Sequence, residues 1–117
     1  MTSDEVWDLL LEISRVDRRK VGLADRKTWE SYVGDLSFPD ALAAVRIYYR
    51  DHREWIMPSD VRHGVAAIRA ERLAQAPPVE VPEELADDPE GYRQHLRDAR
   101  LAIADGREVP KQIGGAA

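Results

Sequence analysis

Three histidines, His52, His63 and His95, are the side chains in this 117-residue sequence best suited to proton transfer or metal ligation near neutral pH. None stands at helical spacing from another, and Asp51 and His52 are sequence neighbours, whose side chains do not face each other on a helix. All three are therefore read as surface residues. Asp4, Asp8 and Glu12 recur every four residues with Glu5 beside them, a row able to coordinate a hard cation. The simpler reading is a solvated helix face whose charge complements the positive helix end. The glycines Gly22, Gly34, Gly64, Gly91 and Gly106 are isolated, so no glycine-rich loop is available to cradle a phosphate. The absence of cysteine removes thiolate nucleophiles, thiolate metal sites and disulfides together, and suits a reducing compartment. No catalytic residue, metal site or cofactor is expected, and an enzyme is the least favoured class.

The cationic side chains offer a different chemistry. Arg15, Arg18, Arg19, Lys20, Arg26 and Lys27 gather near the first loop, while Arg46, Arg50 and Arg53 share one helical face. Brought together, these groups would neutralise several phosphates and contact DNA. Against this, Asp17, Asp25, Asp51 and Glu54 interleave with them and the chain carries a net charge of −5. Weak or no direct contact with nucleic acid follows for the chain as a whole, with Arg46, Arg50 and Arg53 the residues to test. A helix-turn-helix presenting Ser59, Asp60, Arg62 and His63 to a groove is disfavoured because Asp60 would face phosphate.

A third pattern lies near the C-terminus. Tyr92, Leu96, Ala99 and Ile103 recur at 4-3-4 spacing, flanked by Arg93, Arg97 and Arg100 and preceded by Leu85. Such a narrow apolar stripe needs a surface to cover it: its own N-terminal domain, a second copy in a homodimer, or a groove on another protein. Leu85, Tyr92, Arg93, Leu96, Arg97, Arg100 and Ile103 are the candidate partner-binding residues, and the arginines suit an acidic partner.

The elements that must position these residues all read as helices. Thr2 and Glu5 form a capping-box pattern for a helix over 3–17 whose inward residues are Val6, Leu9, Leu10, Ile13 and Val16. Asp25 reads as the N-cap of a second helix with Trp29, Tyr32, Val33 and Leu36 inward, closed by Gly34 in a left-handed conformation. Ser37-Phe38-Pro39-Asp40 starts a third over 39–52 that buries Ala41, Leu42, Val45, Tyr48 and Tyr49. Pro58 opens a fourth with Val61, Val65 and Ile68 inward, where Gly64, Ala66 and Ala67 permit a close crossing. At Ala76-Pro77-Pro78-Val79-Glu80-Val81-Pro82 the pattern stops, and closely spaced prolines with four acids predict a solvated tether. Asp88-Pro89 then starts a fifth helix ended by Gly106.

The expected fold is all-α: a compact four-helix domain over 1–76, an acidic proline-rich linker over 77–88, a tethered amphipathic helix over 89–106 and a disordered tail over 107–117. Residues 1–76 hold 12 Lys/Arg against 13 Asp/Glu, residues 77–117 hold 5 against 9, so the acid excess is C-terminal. The acidic start lacks a secretory pattern, and the aliphatic runs, Leu9 to Leu11 among them, are far too short for a membrane span. A soluble protein of the cytoplasm is expected, with no membrane partner.

The arrangement Trp29…Tyr32-Val33…Leu36…Phe38-Pro39-Asp40-Ala41-Leu42-Ala43-Ala44-Val45…Tyr48-Tyr49…Trp55…Met57-Pro58…Asp60-Val61 resembles the N-terminal domain of phage helicase loader and inhibitor proteins. The similarity covers roughly residues 3–73, and the arginine and alanine content fits a high-GC source. The resemblance implies a non-enzymatic DNA-replication adaptor whose C-terminal region contacts a hexameric replicative helicase or another replication protein. It carries over no catalytic residue. This sequence departs from the family pattern in having a well-patterned helix after the tether. The alternatives are a small helical DNA-binding regulator and a phage protein that inhibits an unrelated host factor.

Overall fold

A computed structural model describes residues 1–109, and over them the regular secondary structure is all helical, with no strand among the described residues. The helices are α1 (Ser3–Asp17), α2 (Leu23–Val33), α3 (Phe38–Asp51), α4 (Pro58–Gln75) and α5 (Pro89–Ala104), with a 3-10 turn at Glu83–Leu85. Of the tail expected over 107–117, residues 110–117 lie outside the described residues. No described helix is long and apolar enough to cross a membrane.

Each helix start has a side chain that satisfies otherwise orphaned backbone N–H groups. Thr2 Oγ1 accepts from the Glu5 N–H at 3.1 Å and Glu5 Oε1 accepts from the Thr2 N–H at 2.8 Å, the reciprocal box predicted for α1. Ser37 caps α3 and Asp88 caps α5 as expected. At α4 the Asp60 carboxylate accepts the Met57 N–H at 2.8 Å, a structural role for the acid that weighed against groove binding. Asp25 is not an N-cap. It sits at the third helical position of α2 and accepts from the N–H of Gly22, whose extended backbone occupies the cap.

Two helix ends differ from simple expectation. Gly34 closes α2 with φ −61°, in the right-handed region rather than the left-handed one. Glycine is required there for space, since a Cβ would collide with the Glu30 carbonyl oxygen. The left-handed residue at the end of α1 is instead Arg18, with φ 64° and ψ 16°.

The chain divides into two compact units between Ile68 and Arg69, inside α4, whereas the sequence places the domain boundary at Ala76. In the first unit, α1 packs on both α2 and α3, and Val6, Leu9, Leu10 and Ile13 meet Trp29, Val33, Ala41, Ala44, Val45, Ile56, Val61 and Val65. Gly64 brings α4 against α3, where an added Cβ would stand 2.7 Å from the Ala44 Cβ. Ala66 and Ala67, also expected at that crossing, are exposed. Val16 and Tyr32 were placed inward by their spacing but are 55% and 59% exposed. Tyr32 lies on the flank of its helix, where rotation carries it off the Trp29–Val33 pair, whereas Val16 keeps helical spacing from Leu9 and Ile13 but stands in the last turn of α1, beyond the buried stripe.

Candidate partner-binding surface

In the second unit α5 is held at both ends. Pro89 follows the Asp88 cap, and Gly106, with φ 73°, closes the helix through bonds from the Gly106 N–H to Ile103 O and from the Arg107 N–H to Ala102 O. This is the paired closure that a left-handed glycine permits, at the residue where the sequence predicts the helix to end. Arg72, on the last turn of α4, donates to the Ala104 carbonyl at 2.9 Å, and Arg69 pairs with the Asp105 carboxylate. Both place positive charge at the negative end of α5. Hydrogen bonds from Arg69 and Arg107 also hold the Asp105 carboxyl below its ordinary value.

The face that α5 buries is His95, Ala99 and Ala102. His95, expected on the surface, is buried because its Nε2 lies 2.9 Å from the Glu80 carbonyl, making a hydrogen bond to a segment read from sequence as solvated. That segment is therefore engaged: Leu85 is buried as well, packed so closely beneath Gly91 that a Cβ there would lie 2.7 Å from Leu85 Cδ2. Leu85 is thus a core residue of this unit rather than part of an exposed contact surface.

The remaining predicted contact residues lie on neighbouring strips of one helix. Tyr92, Leu96 and Ile103 form a boundary row, Tyr92 42% exposed and the other two half-buried. Arg93, Arg97 and Arg100 are exposed on the side opposite the buried face. An open groove of about 580 Å³ is lined by Asp88, Glu90, Gly91, Arg93, Gln94 and Arg97. Gln94, which sequence reasoning passed over, accepts from Arg97 Nη2 at 2.7 Å and donates to Asp98 Oδ1 at 2.7 Å, steadying the arginine head. Its position one turn before Asp98 was the available signal.

The alternative nucleic-acid residues are placed less favourably. Arg46 stands 3.5 Å from Glu12 Oε1, while Arg50 and Arg53 are exposed near Asp51 and Glu54. Burial raises the Tyr48 hydroxyl above its ordinary value, and the negative charges of Asp60 and Glu54 raise it further. Arg19 leaves the first cationic cluster altogether: it is bound to Asp17 with the two side chains 9% and 4% exposed, donates to Ile56 O at 2.8 Å, and lies 4.7 Å from the Trp55 ring centroid. Sequence reasoning missed this assembly.

Among the described residues, no group of three or more His, Asp or Glu side chains is placed to hold a metal ion. His52 stacks on Tyr48 and His63 is exposed. Comparison with protein-family models, with curated proteins and with solved structures finds no match.

Proposed function

We propose that this protein is a non-enzymatic adaptor that binds another protein through α5, and that its partner is a hexameric replicative helicase, which it loads or restrains in the cytoplasm of a phage host. The observation that carries the reading is the α5 surface: a partly exposed apolar row, Tyr92, Leu96 and Ile103, bordered by three exposed arginines on a helix already anchored through its other face. Anchoring matters because a helix held at both ends loses little further conformational freedom when a partner docks. The helicase is suggested by the likeness of residues 3–73 to phage helicase loaders and inhibitors. In this reading the unit over residues 1–68 serves as the compact domain, and the second unit, which includes the end of α4, presents α5.

The DNA-binding alternative receives less support, because Arg46 lies 3.5 Å from Glu12 Oε1 and the chain as a whole is acidic, with a net charge of −5. Co-elution of the full chain with purified hexameric helicases from a panel of high-GC bacterial hosts tests the proposal. A stable complex with at least one of them is expected. Absence of any complex across the panel, at concentrations well above micromolar, would overturn it.

A further inference from the structure

We infer that the partner is gripped through an acidic amphipathic segment of protein, laid along α5 with its carboxylates on Arg93, Arg97 and Arg100 and its apolar side chains on Tyr92, Leu96 and Ile103. The inference rests on the adaptor reading only for the existence of a partner; what it adds is that partner's chemistry.

Like charges three and four residues apart on a helix repel one another. Residues 77–109 contain nine Asp/Glu and four Arg, so acids to neutralise such a row are abundant nearby. Yet the pairing goes elsewhere. Arg69 and Arg107 both meet Asp105, and Arg72 serves the Ala104 carbonyl. Arg93, Arg97 and Arg100 meet no carboxylate among the described residues, and Arg97 is oriented by a neutral amide instead. A row kept free inside an acidic unit is complementary to carboxylates brought from outside. Guanidinium groups suit that task because their planar fork takes a carboxylate through two parallel bonds.

The geometry favours a protein segment over nucleic acid. From Arg93 to Arg100 the row extends about 10 Å, two helical turns, which matches acids recurring at the same interval on a partner helix. The apolar row beside it has nothing to meet on a phosphate backbone. Asp88 and Glu90 line the same groove as Arg93 and Arg97, where they repel a continuous polyanion.

The test uses the full chain and two labelled synthetic helical peptides of about 20 residues, long enough to span α5. Both carry a leucine row; one flanks it with glutamates at 4-3 spacing, the other with glutamines. Fluorescence anisotropy should show the glutamate peptide binding roughly tenfold tighter, with the preference fading as salt rises toward about 1 M. Changing Arg93→Gln, Arg97→Gln and Arg100→Gln together should abolish the preference. Changing all three to Glu should transfer it to a lysine-flanked peptide, in a variant whose helical circular dichroism matches that of the unchanged chain. Equal binding of the glutamate and glutamine peptides overturns the inference, as does an unaltered preference in the triple Gln variant. Tighter binding of an oligothymidine than of the glutamate peptide also overturns it and assigns the row to nucleic acid. A helicase complex insensitive to the triple Gln change would sink this inference while leaving the adaptor reading standing. The peptide result holds whichever way the helicase panel falls.

Discussion

The Asp17 carboxylate accepts two bonds from the Arg19 guanidinium two residues along the chain, 2.9 Å from Nε and 2.6 Å from Nη2. The same oxygen accepts the Tyr49 hydroxyl at 2.6 Å, and that hydroxyl accepts the Ile56 N–H at 3.0 Å. Asp17→Asn leaves a buried guanidinium without its counter-charge and should cost about 3 kcal/mol. Tyr49→Phe strands the Ile56 N–H and should cost about 1–2 kcal/mol. Because the two share one oxygen, the double variant should lose less than their sum. Urea unfolding followed by tryptophan fluorescence measures all three.

Acid and base should each weaken this network, through different residues. Burial pushes the Asp17 carboxyl up, but hydrogen bonds from Arg19 and Tyr49 outweigh it and hold the group below its ordinary 3.8. Its contribution is therefore complete above 3.8 and drains as pH falls through the lower folded value. Asp35, held down by Arg62, and Asp105, held down by Arg69, share that acid limb. Tyr49 is raised above 10.0 by burial and by its bond to Asp17, so its contribution is present below 10.0 and lost as pH climbs through the folded value. Denaturation midpoints across pH should show a plateau with two falling edges. Asp17→Asn should flatten the acid edge and Tyr49→Phe the alkaline one.

Gly64→Ala should destabilise the first unit although alanine is the better helix former by about 1 kcal/mol. The added methyl would stand 2.7 Å from the Ala44 Cβ, forcing α3 and α4 apart. A net loss of about 1–2 kcal/mol is expected, in the range for overpacked cores. Ala44→Gly in the same chain should recover part of it, and a thermal melt of the four variants of the cycle decides the matter.

Arg18→Gly should do the opposite. A left-handed arginine costs about 1–2 kcal/mol in backbone strain, and glycine relieves it while adding disorder to the unfolded chain. The net expectation is a gain of up to about 1 kcal/mol, read as a rise in melting temperature. The Arg18 side chain is exposed, so no packing is lost.

The helices were legible in the sequence because their signals are local. Thr2 with Glu5, Ser37 before Pro39, and Asp88 before Pro89 each announce a helix start within four residues, and all three caps form. The apolar face of α1 was equally plain up to Ile13. What could not be read were features fixed by distant backbone. His95 looks like any polar residue on an outer turn until the Glu80 carbonyl arrives beside it. Leu85 and the 3-10 turn were hidden by an acidic, proline-rich surrounding that ordinarily stays solvated. Arg19 belonged by composition to a basic run, and only the return of Tyr49, Trp55 and Ile56 reveals it as a buried tie. On α5 the stripe was found but its phase was shifted: the buried line runs through His95, Ala99 and Ala102, which leaves Tyr92 and the arginines outward.

Because α4 contributes its last two turns to the second unit, shortening the protein at Ala76 would not simply remove an arm. Arg69 and Arg72 would lose Asp105 and the Ala104 carbonyl, and two guanidinium groups would be bared on a stump of helix. Such a fragment presents a local cationic patch at the end of α4 that the intact chain keeps covered, and can adhere there to acidic groups for reasons unrelated to α5. Side-chain replacement within the whole molecule is therefore the cleaner way to find what α5 holds.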